Sequence, residues 1–217
     1  MHTSAMVRMN WFVQNYIIPP HVPLTKKIKV LDVGAYNVNG CYRELFAQNP
    51  NVEYIGLDVE PGPNVDIVAN APYNWDNVED ESFDYVISGN AFEHIEFPWV
   101  TIRLIHSKLK YGGVAAILAP NSLGEHKYPV DCYRYYSDGF RALAKWGGYK
   151  IINVTVAGVP DMSVPKEWDG PENDAFMILM KSSEDINVEQ FPRLLYERRV
   201  TSIRITEQYI TQAVKLT

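Results

Sequence analysis

Short apolar runs separated by Gly-, Pro- and Asn-containing breaks recur along most of the chain. The runs are Ile28–Val33, Val52–Asp58, Val65–Val68, 83–88, Val114–Leu118, Tyr149–Val156 and Ala175–Met180. Nearly continuous apolar runs of this length predict strands covered on both faces of a sheet. Between them the period changes. Met6, Met9, Phe12 and Val13 recur at three- and four-residue spacing and predict a helix over 1–18, stopped by Pro19-Pro20. This helix either packs on the sheet edge or forms a lid. A second helix is predicted from Tyr42 to about Gln48. A third begins at Pro98, buries Val100, Ile102, Leu104, Ile105 and Leu109, and ends at Gly112-Gly113. A fourth, capped by Ser137, runs to about Trp146 and ends at Gly147-Gly148. Strands alternating with helices give an α/β class.

The stretch Lys29-Val30-Leu31-Asp32-Val33-Gly34-Ala35-Tyr36-Asn37-Val38-Asn39-Gly40 joins the first strand to the second helix. A glycine turn in this place lets a ligand approach the carboxyl end of the first strand. It departs from the dinucleotide pattern G-x-G-x-x-G, because Tyr36 stands where the second glycine would admit a pyrophosphate. A cofactor without phosphate suits the turn better. Asp58 ends the next strand, at about the ~20-residue spacing at which an acid meets ribose hydroxyls.

From here the chain resembles the class I S-adenosylmethionine (SAM)-dependent methyltransferases. Ser82–Ser88 looks like that family's fourth strand, Phe92-Glu93-His94-Ile95 like the segment after it, and Leu109-Lys110-Tyr111-Gly112-Gly113 like the approach to strand five. The resemblance covers about residues 28–120 in the right order. It implies a doubly wound, mostly parallel seven-stranded sheet of the Rossmann-like methyltransferase kind, with an N-terminal helix (1–20) within a domain over 1–181 and a C-terminal extension over 182–217. It implies SAM as cofactor and S-adenosylhomocysteine as product. It sets the cofactor against Asp32, Gly34, Ala35, Tyr36, Gly40, Asp58, Val59, Asn70, Ala71, Gly89, Asn90 and Glu93. In the family the Asn70 position faces the adenine amino group; a turn-forming Asn is the alternative. His94 would lie near cofactor or substrate, or be an ordinary core histidine.

The segment 121–136 has no helical or strand period and is dense in His, Tyr, Asp and Arg. It leaves strand five at the edge of the sheet where ligands bind. His126 is the candidate general base, because histidine titrates near neutral pH. Asp131 is placed to orient His126 or to act itself, and His94 competes for the role. Arg134 has an anionic partner, either a substrate phosphate or carboxylate or Asp131. Tyr128, Tyr133 and Tyr135 offer stacking and hydroxyl contacts. The alternative is a loop that these side chains merely hold down. The segment is also similar to a bacterial subgroup of these methyltransferases often linked to surface-glycan or natural-product pathways. No metal is expected, since His126 and Asp131 have no third ligand nearby in sequence.

Composition narrows the rest. The 217 residues carry a net charge of −6, with a pI of about 5.4, against a large nucleic-acid interface. Two distant cysteines, Cys41 and Cys132, give no disulfide framework, so a cytoplasmic location is expected. No apolar run reaches the ~18 residues of a membrane span. The expected function is transfer of a methyl group to a small polar acceptor, with oxygen the preferred acceptor atom. The rivals are a non-catalytic SAM-binding regulator and a nicotinamide oxidoreductase. Phe191, Leu194, Leu195, Ile203, Ile205, Ile210 and Val214 lie beyond the sheet and suggest a homodimer contact.

Overall fold

Seven strands form one sheet in the order β3-β2-β1-β4-β5-β7-β6. They are β1 (Ile28–Val33), β2 (Val52–Asp58), β3 (Ile67–Val68), β4 (Phe83–Gly89), β5 (Leu109–Pro120), β6 (Lys150–Val156) and β7 (Asp174–Met180). The computed structural model describes residues 3–18, 26–127, 129–156 and 174–182. All of them fall within the unit Met1–Ser183. Tyr128 and the residues of the expected dimer contact lie outside the described residues.

β1 runs parallel to β2 and to β4, and β4 runs parallel to β5. β7 enters antiparallel between β5 and β6. The composition of the last two strands explains their places. β7 reads DAFMILM and is buried almost throughout, so it needs a neighbour on each side. β6 is more exposed, with Ile152 at 40% exposure, and suits the edge.

Alternate residues of the inner strands feed two apolar layers. Leu31, Val86, Ile117 and Met177 meet Ile102, Ile105 and Phe140 from helices α2 (Pro98–Lys108) and α3 (Ser137–Gly147). Val30, Ile87, Ala116 and Ile178 meet Ala5, Met9, Phe12, Val13 and Ile17 on the other face. The N-terminal helix, α1 (Thr3–Phe12), therefore covers the sheet face and not its edge. It continues as a π-helical turn, Val13–Ile17, closed by the Ile18 N–H on the Val13 carbonyl at 2.7 Å. The buried Arg8 guanidinium pairs with buried Asp174 of β7 at 3.4 Å.

Three local expectations are corrected. The helix expected over 42–48 is a five-residue 3₁₀ turn, Tyr42–Phe46. Pro50 disfavours helical geometry at Asn49, leaving too short a span to nucleate an α-helix. Gly112-Gly113 does not cap α2, which ends at Lys108; the pair lies inside β5. Gly112 has φ +80° where the pairing of β4 with β5 shifts register. Ser137 is the first helical residue of α3, and Tyr136 precedes it without a side-chain cap. At the other end Gly148 adopts φ +81°, the left-handed cap expected there. Among the described residues no helix is long and apolar enough to cross a membrane.

Candidate active site

The strand order reverses between β1 and β4, and in open α/β sheets ligands bind outside the carboxyl ends of the strands at such a switch. Gly34 ends β1 with φ +79°, and a Cβ there would sit 2.4 Å from the Ala91 Cβ. Only glycine lets the β1 turn and the segment after β4 approach this closely.

The turn uses its own amides. The N–H groups of Gly34 and Ala35 donate to the Leu57 carbonyl at 3.0 and 3.1 Å, and Asn37 N–H donates to Pro63. Tyr36 N–H donates to Asp58 Oδ2 at 2.9 Å, and Gly40 N–H to Asn37 Oδ1 at 2.7 Å. A pyrophosphate requires such groups to point outward, so the turn is built for a ligand without one. Asp58 Oδ1 accepts Val59 N–H at 2.7 Å. Glu60 N–H also reaches Oδ1, at 3.3 Å, so of the about four lone-pair sites of a carboxylate one remains to accept a hydroxyl group. Val59 beside it is 49% exposed. Asn70 and Ala71 follow β3 on the surface, where Asn70 Nδ2 reaches Asn74 Oδ1 at 3.4 Å.

Behind the turn lies a buried network that sequence reasoning misses. The Tyr54 hydroxyl donates to Asp32 Oδ2. Asn64 Nδ2 donates to Tyr54 Oη at 3.0 Å and to the Ala35 carbonyl at 2.8 Å. Arg43 Nε donates to Asn64 Oδ1 at 2.7 Å, and its guanidinium also pairs with Asp66. Burial pushes the Asp32 carboxyl up to about 7. Asp32, expected to touch cofactor, is thus 3% exposed and supports the turn from beneath.

Four buried polar atoms among the described residues have no hydrogen-bond partner: Tyr42 Oη, Asn90 Oδ1, Glu93 Oε2 and Asn121 Oδ1. All four gather near the carboxyl ends of β4 and β5. Tyr42 reaches there because Gly89 has no side chain; a Cβ on Gly89 would lie 2.0 Å from Tyr42 Oη. Asn90 holds a left-handed φ of +55°. Buried polar atoms are rarely left unpaired, so their convergence marks where a polar ligand belongs. The sequence gives no signal for Tyr42 or Asn121.

The segments after β4 and β5 are joined here. The Glu93 carbonyl accepts from Cys132 N–H at 2.7 Å and Tyr133 N–H at 3.2 Å. The rings of His94 and His126 meet edge-on, centroids 5.1 Å apart. Glu93 Oε1 faces His94 Nε2 at 3.7 Å and His126 Nε2 at 3.9 Å. The Glu93 side chain is 1% exposed, and burial raises its carboxyl to about 7. His126 is the open member, with its side chain 45% exposed.

Of the two partners expected for Arg134 the loop uses Asp131, while Asp131 and Tyr135 take other contacts than those expected. Asp131 does not hydrogen-bond the His126 ring, which stands 3.7 Å away; it accepts the His126 main-chain N–H at 2.7 Å. The expected anion clamp, Arg134, has its N–H groups occupied within the loop. Nη1 donates to Asp131 Oδ1 at 2.5 Å and to the Tyr133 carbonyl at 2.7 Å. Nη2 donates to Asp131 Oδ2 at 2.7 Å and to the Gly124 carbonyl at 2.9 Å, and Nε reaches the Leu123 carbonyl at 3.3 Å. This bidentate grip holds the Asp131 carboxyl well below the usual range. Tyr135, expected to contact substrate, is 6% exposed, donates to the Phe92 carbonyl at 3.0 Å and stacks on Phe140. Lysine cannot reproduce the planar grip of Arg134. Arg134→Lys should therefore lower unfolding free energy by roughly 1–3 kcal/mol through the incomplete pairing left to Asp131, while cofactor affinity is unchanged. Urea denaturation and calorimetry read the two effects separately.

A family described as "Methyltransferase domain" matches residues 31–117. Among solved structures, a SAM-dependent methyltransferase from Archaeoglobus fulgidus is similar, with TM-score 0.53 and 16% identity over 81% of this chain and 94% of that one. So is 1,6-didemethyltoxoflavin-N1-methyltransferase from Burkholderia thailandensis, solved with 1,6-didemethyltoxoflavin and S-adenosylhomocysteine; TM-score 0.59, 15% identity, 82% and 78% coverage. A phosphoethanolamine N-methyltransferase of Haemonchus contortus gives TM-score 0.51 at 16% identity, covering 81% of this chain and 52% of that one. No curated protein matches the sequence. The sheet order and glycine turn define a Rossmann-like methyltransferase fold. The domain match over residues 31–117 makes this part of the chain similar to the class I SAM-dependent methyltransferases.

Proposed function

We propose that this protein transfers the methyl group of SAM to an oxygen of a small polar acceptor and releases S-adenosylhomocysteine. The observation that carries this reading is the convergence of unpaired buried polar atoms beside a turn whose amides leave no room for a phosphate. Gly34 and Ala35 would line the methionine end of SAM, Asp58 would accept from the ribose hydroxyls, and Val59 with Asn70 would border the adenine. Two of the structural neighbours carry S-adenosylhomocysteine and small acceptors, which supports a small-molecule substrate.

Methyl transfer is an in-line displacement, so the protein's main work is to align acceptor oxygen, methyl carbon and sulfonium sulfur. A hydroxyl acceptor must also lose its proton as the new bond forms. Glu93, His94 and His126 are the groups available for this on the ligand edge. Arg134 takes no part in substrate binding in this reading, because its donors serve Asp131. A cytoplasmic location accords with the two free thiols, Cys41 and Cys132.

Calorimetry with SAM, S-adenosylhomocysteine and NAD tests the reading. The first two should bind and NAD should not. Asp58→Ala should weaken SAM binding by roughly 1.5–3 kcal/mol, the range for hydrogen bonds to a charged group. Tight NAD binding, or unchanged SAM affinity in the variant, would overturn the assignment.

A further inference from the structure

We propose that Glu93, His94 and His126 form a binding site for one divalent transition-metal ion of the zinc class. Their nearest ligand atoms all lie within 4.8 Å of one another. The hydrogen bonds behind the rings decide which nitrogens face inward. His94 Nδ1 lies 2.6 Å from the Val130 carbonyl. A carbonyl only accepts, so Nδ1 carries a proton, and it is Nε2 on the Glu93 side whose lone pair a metal ion would take. His126 Nδ1 has two neighbours, the Gly124 carbonyl at 3.2 Å and Arg134 Nη2 at 3.3 Å. Arg134 Nη2 has two hydrogens, and its shorter contacts to Asp131 and Gly124 use both. His126 Nδ1 therefore donates to Gly124, and its Nε2 also presents a lone pair.

Three lone-pair-bearing atoms thus converge: His94 Nε2, His126 Nε2 and Glu93 Oε1. Separations of 3.7 and 3.9 Å are too long for hydrogen bonds, so no proton is shared between these atoms. A cation held between them would bond to all three. Metal bonds of about 2.0–2.2 Å place two ligands of one ion roughly 3–4 Å apart, the separation seen here. The Glu93 side chain is 1% exposed and its Oε2 has no partner, so a bound cation would also compensate a buried carboxylate. The carbonyls of Val130 and Gly124 already orient the rings as second partners do in metal sites. Two histidines, one carboxylate and an exposed approach past His126 suit zinc with an open fourth position.

The site stands on this geometry alone; its part in catalysis rests on the methyltransferase reading. There the acceptor hydroxyl takes the open position, and its proton leaves to solvent water because the metal lowers its pKa. The resulting alkoxide oxygen forms the bond to the methyl carbon. The carbon–sulfur bond breaks with its electron pair left on sulfur, giving the neutral thioether. No oxidation occurs. From the sequence, His126 and Asp131 lack a third ligand; the fold supplies Glu93 and His94 in place of Asp131.

Full-length protein stripped with chelator and titrated with Co²⁺ tests the site. One Co²⁺ per chain should bind, with the visible absorption of a low-symmetry nitrogen and oxygen site, and Zn²⁺ should displace it. His126→Ala, at an exposed position, should weaken Co²⁺ binding by more than the 10–100-fold typical of losing an outer partner, and Glu93→Gln should do the same. Circular dichroism confirms that each variant is folded. S-adenosylhomocysteine binding is measured on the same samples. Failure of Co²⁺ to bind while S-adenosylhomocysteine binds would refute the metal and leave the methyltransferase standing. Co²⁺ binding undiminished in His126→Ala would place the ion elsewhere and also refute it. Co²⁺ binding lost in His126→Ala, without S-adenosylhomocysteine binding in the wild type, would support the metal site and defeat the methyltransferase reading.

Discussion

His126→Ala should lower kcat by about 10²–10⁴-fold, the contribution typical of a positioned group that assists proton removal, with SAM affinity nearly unchanged. His126 is the solvent-facing member of its cluster, its side chain 45% exposed against 19% for His94 and 1% for Glu93. An acceptor arriving from solvent meets it first. The substitution leaves the loop's anchor in place, because Asp131 holds the main-chain N–H of residue 126 and not its ring. Steady-state release of S-adenosylhomocysteine in the presence of acceptor measures the loss. Near-normal turnover in His126→Ala with loss in His94→Ala would exchange the two roles. Near-normal turnover in both would show that the acceptor is acidic enough to react by alignment alone.

The second large effect is on stability. Asp32 has a folded-state pKa of about 7 against 3.8 for the free side chain. The leading cause is burial, with the Asp58 charge in the same direction; the Tyr54 hydrogen bond and Arg43 oppose it. Between these two values the folded protein keeps a proton that the unfolded chain has released. Raising pH through this window therefore favours unfolding. The stabilising contribution is complete below about 4 and gone above about 7, a span of roughly 4 kcal/mol at ~1.4 kcal/mol per pKa unit. Asp32→Asn preserves an acceptor for the Tyr54 hydroxyl and removes the titration. Asp131, whose pKa is depressed, gives the opposite slope in acid, so the comparison is between wild type and variant. Urea denaturation across pH 4–8 should show the difference between the two proteins changing by several kcal/mol. Parallel profiles would mean that Asp32 is ionised in the folded state.

The Arg43–Asn64–Tyr54–Asp32 network connects this titration to the cofactor turn, since Asn64 also holds the Ala35 carbonyl. Loss of the network should therefore be felt at the ligand edge as well as in the core. The Asp32→Asn variant separates the two, because it keeps the hydrogen-bond pattern and changes only the charge.

The sequence by itself determined what depends on neighbouring residues. Continuous apolar runs placed the strands, and Gly34 with Asp58 marked the turn after β1 and the end of β2, because a left-handed turn and a strand-end acid are local requirements. The same locality explains the misreadings. Gly112-Gly113 looks like a helix stop in isolation, and only its pairing partner β4 shows that it is a break in register. Tertiary structure alone decided the place of β7 between β5 and β6, since strand order depends on which surfaces remain uncovered after the parallel sheet has formed. It also decided the chemistry of the loop. Asp131 lies five residues from His126 yet goes to Arg134, because a bidentate guanidinium competes better for a shielded carboxylate than an imidazole does. Glu93, far from His126 in sequence, becomes its neighbour because the 3₁₀ turn after β4 and the segment after β5 share the Glu93 carbonyl. Hydrogen bonds between separate loops leave no periodic trace in the chain, and the acceptor end of this site is built from them.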